Sequence, residues 1–205
     1  MGLSLGGIKG LFKKSAGGGG GDAINTANPI KTGQTISYAT GDDGDLQEGR
    51  LTDFTTLDWT NPFGNTNRFT DELGGQTYAN DIVIDWSTYN QVSSEVIGFY
   101  KGDSNTVRTW INAVNWGGAV SVSVYNSGWR LTNVNELFNI LSFNSTSLLN
   151  YSPFNHTTAL WTSTGFSSTA ILVLPQLRWI EDFSKSNSYR TYASRTFTVS
   201  GTTLT

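Results

Sequence analysis

The chain has 205 residues and a net charge of −3, and charged residues make up only 14% of it. It contains no cysteine, which excludes disulfides, thiolate metal sites and cysteine catalysis. Because soluble domains carry roughly 25% charged residues, this surface must be covered mainly by Ser, Thr, Asn and Gly.

The charge is distributed unevenly along the chain. Residues 1–31 hold four lysines and one aspartate, so this part is near +3 and the remainder near −6. An acidic main body argues against nucleic-acid binding, which requires a basic patch. We therefore expect a basic arm attached to an acidic head that has no nucleic-acid partner.

The first fifteen residues mix apolar side chains with glycines and lysines. The interspersed glycines each weaken a helix by about 1 kcal/mol, so the segment is predicted to order only on a partner. A membrane-surface helix is the alternative. The run from Leu3 to Ile8 is too short for a signal peptide or a membrane span. The apolar residues predicted to attach the arm are Leu3, Leu5, Ile8, Leu11 and Phe12.

Five consecutive glycines, Gly17–Gly21, form a flexible linker behind this segment. We assign residues 1–29 to an N-terminal attachment arm with its linker, and residues 30–205 to one head domain. The linker uncouples the arm from the head.

A strand-like alternation over residues 30–38 precedes an acidic, turn-rich loop. Asp42, Asp43 and Asp45 have the spacing of the start of a calcium loop and are the candidate metal ligands. Counted from Asp43, the twelfth position, where an EF-hand needs Glu, is Phe54. The alternative is that the aspartates close the loop through Asx turns. Apart from calcium here, no cofactor is predicted.

Strands are predicted at Arg68–Asp71 and Ile82–Trp86, with Gly74 and Gly75 between them. Residues 119–125 alternate as a further strand. Before them, a helix over 106–116 is predicted from an apolar stripe at i, i+3, i+4 and i+7, formed by Val107, Trp110, Ile111 and Val114.

The stretch Gly128–Leu141 is predicted to be a short strand, a tight connection and a capped helix. Asn133 is a favourable N-cap and Glu136 follows three residues later, which predicts a capping box. The helix stripe is Val134, Leu137, Phe138 and Leu141. One shared core is predicted for Trp129, Leu131, Val134, Leu137, Leu141, Trp110 and Trp161.

Four further strands are predicted in the C-terminal part, at residues 160–164, 170–174, 179–183 and 194–199. The second of these is a continuous apolar run, which indicates burial on both faces. No internal repeat of 20–50 residues occurs.

In this order the elements resemble the domain family named after the C-terminal domain of a Legionella collagen-like adhesin. The similarity covers about residues 31–200. It implies a C-type-lectin-like α+β fold, with two helices packed on small twisted antiparallel sheets, and adhesion rather than catalysis. The motifs that carry it are Lys31–Thr35, Ser37–Tyr38, Thr40–Gln47, Arg68–Asp71, Gly128–Leu131, Asn133–Leu137 and Leu160–Thr164.

Catalysis is the alternative to binding. A Ser-His-Asp triad would have to use His156, the single histidine, and no Gly-x-Ser-x-Gly elbow occurs. Glycosidase chemistry would use a carboxylate pair, such as Glu181 with Asp182 or Asp81 with Asp85. We predict a protein that is not an enzyme and keep a virion-associated glycan hydrolase as the weakest alternative.

An adhesin-like domain without a signal peptide points to a bacteriophage virion. Assembly in the reducing cytoplasm fits the lack of cysteine, and lysis releases the particle. We expect a tail or head fibre or spike protein, with a bacterial surface adhesin as the alternative. Its expected partners are other virion proteins, bound through the arm, and a host surface glycan or protein. A homo-oligomer is expected, with a trimer favoured.

The stretch Ser184–Tyr192 is the part of the chain richest in Ser, Asn and Tyr, residues that make adaptable contacts at low entropic cost. It is the candidate receptor-contact region, and an ordinary hairpin is the alternative. The candidate ligand-binding residues are Trp179, Tyr189, Arg190 and Tyr192.

Overall fold

Two β-sheets and two short helices dominate the described part of the chain, which confirms the α+β class. The computed structural model describes residues 34, 36–40, 42–46, 53–102, 106–141, 153–154, 158–175 and 179–205. The predicted arm with its linker, and His156, lie outside these residues.

The helical segments are α1 (Asp43–Leu46, a single turn), α2 (Trp110–Ala119) and α3 (Val134–Asn139). The first strands are β1 (Phe69–Thr70), β2 (Ile82–Asn90), β3 (Glu95–Tyr100), β4 (Arg108–Thr109) and β5 (Arg130–Leu131). The later strands are β6 (Leu160–Gly165), β7 (Thr169–Leu174), β8 (Trp179–Ser184), β9 (Ser188–Thr191), β10 (Ala193–Ser200) and β11 (Thr203–Leu204). None of the described helices is long and apolar enough to cross a membrane.

The strands form two sheets with different connectivity. Sheet A has the order β1-β2-β3-β10-β11, and β5 also pairs with β10. Sheet B has the order β4-β9-β6-β7-β8. The β6–β9 pair is parallel, whereas the other pairs in both sheets are antiparallel. Because β9 and β10 are consecutive but belong to different sheets, the residue between them joins the two sheets.

Each sheet buries both faces. Ile82 and Ile84 of β2 lie in one apolar cluster, while Val83 lies in another that also contains Leu160 of sheet B. Alternate strand residues point to opposite faces, so the second cluster fills the space between the sheets. A third cluster lies between sheet B and α2 and contains Trp161.

The predicted core residues are divided among these clusters, so the prediction of one shared core is wrong. Trp129 packs in the first cluster, Leu137 and Leu141 in the second, and Leu131 and Trp161 in the third. The cause is the topology, because β5 pairs with β10 of sheet A and packs against α2, whereas α3 packs against β6 of sheet B.

The capping box of α3 is confirmed. The Asn133 side chain accepts a hydrogen bond from the Glu136 amide at 2.9 Å, and the Glu136 carboxylate accepts one from the Asn133 amide at 3.1 Å. The predicted stripe is only partly correct, because Phe138 is 48% exposed. The helix ends at Asn139, and Ile140 beyond it is buried instead.

Helix α2 begins four residues later than predicted, and its predicted stripe is only partly correct, because Trp110 and Val114 pack in the third cluster whereas the other two stripe residues do not. Arg108 and Thr109 pair with β9 instead of joining the helix. Val107 and Ile111 are more than half exposed, whereas Ala113 and Gly117 are buried. A Cβ atom on Gly117 would lie 2.3 Å from the Leu131 backbone nitrogen, so only glycine allows this close packing of α2 against β5.

Most of the predicted strands are confirmed, with two exceptions. The strands predicted at 82–86, 160–164, 170–174, 179–183 and 194–199 correspond to β2, β6, β7, β8 and β10. In place of a strand over 119–125, Val122 and Tyr125 form an isolated bridge around Ser123, which has a φ of +53°. Residues 36–40 form bends and a turn, and the start of that predicted strand lies outside the described residues.

Candidate ligand-binding surface

Trp179 opens strand β8, which lies at the edge of sheet B and pairs with β7. Its side chain is 56% exposed, opposite Leu174. Strand alternation places Trp179, Glu181 and Phe183 on the sheet face covered by α2, and Phe183 packs in that cluster. Trp179 is therefore a large aromatic side chain held on a strand and open to solvent.

Tyr189 lies on the same face of sheet B but at the other end. Its ring is half-buried and packs edge-on against Trp161 and Phe183, with centroid distances of 5.1 and 5.8 Å. Phe183 is four strand residues from Trp179, which corresponds to about 13 Å along the strand. Tyr189 and Trp179 thus do not form one contiguous contact patch.

Tyr192 is buried, with 2% exposure, so the prediction that it contacts a receptor is wrong. It is the residue between β9 and β10, and its ring packs near Phe154 in the cluster between the sheets. Its carbonyl accepts hydrogen bonds from the Thr132 amide and hydroxyl. Burial raises the pKa of its hydroxyl far above the ordinary value.

Arg190 is half-buried and points away from Trp179. It pairs with Leu160, whose side chain lies in the cluster between the sheets. Its charge acts on the hydroxyl of Tyr192, where it lowers the pKa against the larger effect of burial. Of the four candidate ligand-binding residues, the structure leaves Trp179 as the one with a freely exposed side chain.

Asp42 closes its loop in the way that the Asx-turn alternative requires. Its carboxylate accepts hydrogen bonds from the amides of Tyr38, Ala39 and Asp45, at 2.7, 3.1 and 2.8 Å. These bonds, the one from Tyr38 foremost, lower the pKa of Asp42. The side chain of Asp43 lies outside the described residues. Within them, no group of three or more His, Cys, Asp or Glu is arranged to hold a metal ion.

Neither carboxylate pair is arranged to act on one glycosidic bond. Asp85 is completely buried in an ion pair with Arg68, whereas Asp81 is exposed. Glu181 and Asp182 are both exposed but, as neighbours on a strand, point to opposite faces of sheet B. A glycosidase needs both carboxyl groups on the same bond, so these pairs do not supply that geometry.

A cluster that the sequence analysis missed lies at the far end of sheet B. The Lys185 ammonium donates to the carbonyl of Phe166 and sits 4.1 Å from the centre of the Trp110 ring. The Trp110 amide donates to the Lys185 carbonyl at 3.1 Å. These contacts tie the β6–β7 turn and the β8–β9 connection to the start of α2. Lys185 stands out in the sequence as the lysine within the Ser-rich stretch, but no sequence pattern predicts its contact with Trp110.

No protein-family model and no curated protein matches the chain. The family resemblance therefore depends on the sequence motifs alone.

Proposed function

We propose that the protein is a non-enzymatic bacteriophage virion component whose head is a C-type-lectin-like adhesin domain for attachment to the host. The alternative, an adhesin domain on a bacterial surface, would use the same binding surface. A virion-associated glycan hydrolase remains the weakest alternative, because the named carboxylate pairs do not face one another.

Contacts between the two most specific motifs support the family assignment. The Ser163 amide donates to the Thr132 carbonyl at 2.8 Å, and the Val134 amide donates to the Thr164 hydroxyl at 3.2 Å. Leu131 and Trp161, one from each motif, share an apolar cluster. Segments about thirty residues apart thus form one structural unit at the start of α3.

The exposure of Trp179 is the single observation that carries the binding role. Burying a large aromatic side chain on a ligand supplies more contact area than most residues, at the cost of fixing only two side-chain torsions. The backbone of Trp179 is already fixed by its pairing with Leu174. Such a side chain is ready to stack on a host surface glycan or protein.

The basic arm provides the second half of the proposal. The arm would bind other virion proteins, and the head would project towards the host, most simply as a homotrimer. Light scattering of the purified protein would measure the oligomeric state directly. A monomer at all concentrations would contradict the trimer for the isolated protein.

The decisive experiment compares adsorption of particles that carry Trp179→Ala with that of wild-type particles. We expect adsorption to host cells to fall about tenfold or more, as for loss of an aromatic binding anchor. Val92→Ala is the matched control, because Val92 is fully exposed on the β2–β3 turn of the other sheet. Equal adsorption of both variants and wild type would contradict the proposed binding surface.

A further inference from the structure

Glu181 lies beside Trp179 on the same face of β8. The two residues are two positions apart, so their side chains project in parallel about 7 Å from each other. Both are exposed. A ligand that stacks on the indole ring can therefore reach the Glu181 carboxylate at the same time.

The Glu181 carboxylate makes no hydrogen bond or ion pair with any residue that the structure describes. The two cations that the structure describes on this face are engaged elsewhere: the Lys185 ammonium donates to the Phe166 carbonyl and lies over the Trp110 ring, and the Arg108 guanidinium lies 4.6 Å from the centre of the Trp116 ring. Helix α2 contains no charged residue, and β7 presents Ala170, Leu172 and Leu174 to this side. Arg178, next in the chain to Trp179, lies outside the described residues. The charge of Glu181 is thus available to a ligand.

An indole ring and a carboxylate on one face attract the same chemical group. The face of the indole ring carries negative electrostatic potential, which favours a cation within about 6 Å of the ring centre. The carboxylate favours a cation through direct charge pairing. An uncharged sugar would use the ring but leave the carboxylate with hydroxyl contacts only. A ligand bearing an ammonium group satisfies both side chains.

We infer that the ligand bound at Trp179 carries a positively charged ammonium group, such as the amine of an unacetylated amino sugar, held between the Trp179 ring and the Glu181 carboxylate. This inference rests on the proposed attachment function and names the ligand class of the same surface. The net negative charge of the head, −5 for residues 30–205, adds attraction at longer range.

The test uses the full-length protein and two matched probes, a β-linked oligosaccharide of glucosamine and the same oligosaccharide with every amine acetylated. Binding is measured by calorimetry at a mildly acidic pH that keeps the amines protonated. We expect the amine form to bind about tenfold more tightly than the acetylated form. Trp179→Ala and Glu181→Gln should each remove most of this preference.

Asp182→Asn is the matched control, since it removes the same charge from the adjacent residue on the opposite face. It should leave the preference for the amine form largely intact. An equal loss in Asp182→Asn and Glu181→Gln would indicate general charge attraction and overturn the inference. Binding of the acetylated form as tightly as the amine form, or no binding of the amine form, would also overturn it.

Failure of the inference can be separated from failure of the proposed function. If Trp179→Ala abolishes adsorption while the protein shows no preference for amines, the attachment function stands and the ligand class is wrong. If Trp179→Ala leaves adsorption unchanged, the binding surface itself is wrong.

Discussion

Arg68 and Asp85 form an ion pair in which both side chains are completely buried, with Nε 2.9 Å from Oδ1. The guanidinium lies between the rings of Phe54 and Phe69, 4.5 and 4.6 Å from their centres. It also donates to the carbonyl of Asn139, the last residue of α3. The pair therefore fixes β1, β2 and α3 relative to one another.

Asp85→Asn should destabilise the protein by about 3–5 kcal/mol, because it leaves the buried Arg68 charge uncompensated. Urea unfolding monitored by circular dichroism measures this loss. Replacing both partners, with Arg68→Met and Asp85→Leu together, should recover much of the stability. If the protein with Asp85→Asn alone were as stable as the wild type, the ion pair would not be desolvated in solution.

Trp129→Ala should cost about 3–5 kcal/mol, the usual cost of removing a large core aromatic residue. The Trp129 ring packs edge-on against Phe197, with centroids 5.8 Å apart, and its indole nitrogen donates to the Tyr125 carbonyl at 2.8 Å. Urea melts provide the measurement. A loss below 1 kcal/mol would contradict the core position of this residue.

Glu136→Gln should reduce stability at neutral pH by about 1 kcal/mol, since Gln keeps the cap but loses the ion pair with half-exposed Arg130. Burial raises the pKa of Glu136, but hydrogen bonds from Arg130, the Asn133 amide and Ser194 outweigh burial and lower it. The stabilisation is therefore complete above the unfolded-state pKa of about 4.3 and is lost as the pH falls through the lower folded-state value.

Urea melts of wild type and Glu136→Gln at neutral and acid pH test this dependence. The two proteins should converge in stability at acid pH. A difference that stays constant with pH would mean that the Glu136 charge does not contribute.

Tyr192→Ala should destabilise the protein by about 3–5 kcal/mol, because its ring fills the space between the sheets. Trp179→Ala should change the free energy of unfolding by less than about 1 kcal/mol, as exposed substitutions normally do. Urea melts of the two variants, measured side by side, distinguish a buried from an exposed aromatic residue. Similar small effects for both would contradict the burial of Tyr192.

A chain that starts at Asp22 should unfold at the same urea concentration as the full protein but be missing from purified particles. The expected cause is the loss of the arm's apolar side chains, which could contribute roughly 1.5–3 kcal/mol each on a partner before ordering costs. Quantitative immunoblots of particles measure incorporation. Normal copy number, or failure of the shortened chain to fold, would contradict the division into arm and head.

Elements whose structure is decided by residues close together in the sequence were predicted well. The α3 capping box depends on Asn133 and Glu136, which are three residues apart, so local chemistry decides it. Strand β2 follows from its own apolar and β-branched residues. The burial of Ala113 and Gly117 in α2 could not be predicted in this way, because it depends on the approach of β5 to Gly117. The apolar side chains of Val107 and Ile111 consequently suggested a helix that begins too early and a stripe that is partly exposed.

In the candidate site, too, local sequence signals were predictive and contacts between distant segments were not. Trp179 was predicted as a ligand contact and is exposed, as that role requires, but the composition of Ser184–Tyr192 could not separate its exposed residues from Tyr192. That separation is set by the step from β9 in one sheet to β10 in the other. The role inferred for Glu181 depends on strand alternation in β8, which places its side chain on the same face as Trp179 and on the opposite face from Asp182.

Strand β10 has a consequence for how the protein is made. It pairs with β3, which a ribosome completes roughly a hundred residues earlier, and with β5 and β11. During translation the β3 edge of the β2–β3 hairpin therefore stays unpaired until Ala193–Ser200 has been synthesised. Sheet A is therefore completed only after these residues have been made, and a ribosome that stops before residue 193 releases a chain with an open, aggregation-prone edge.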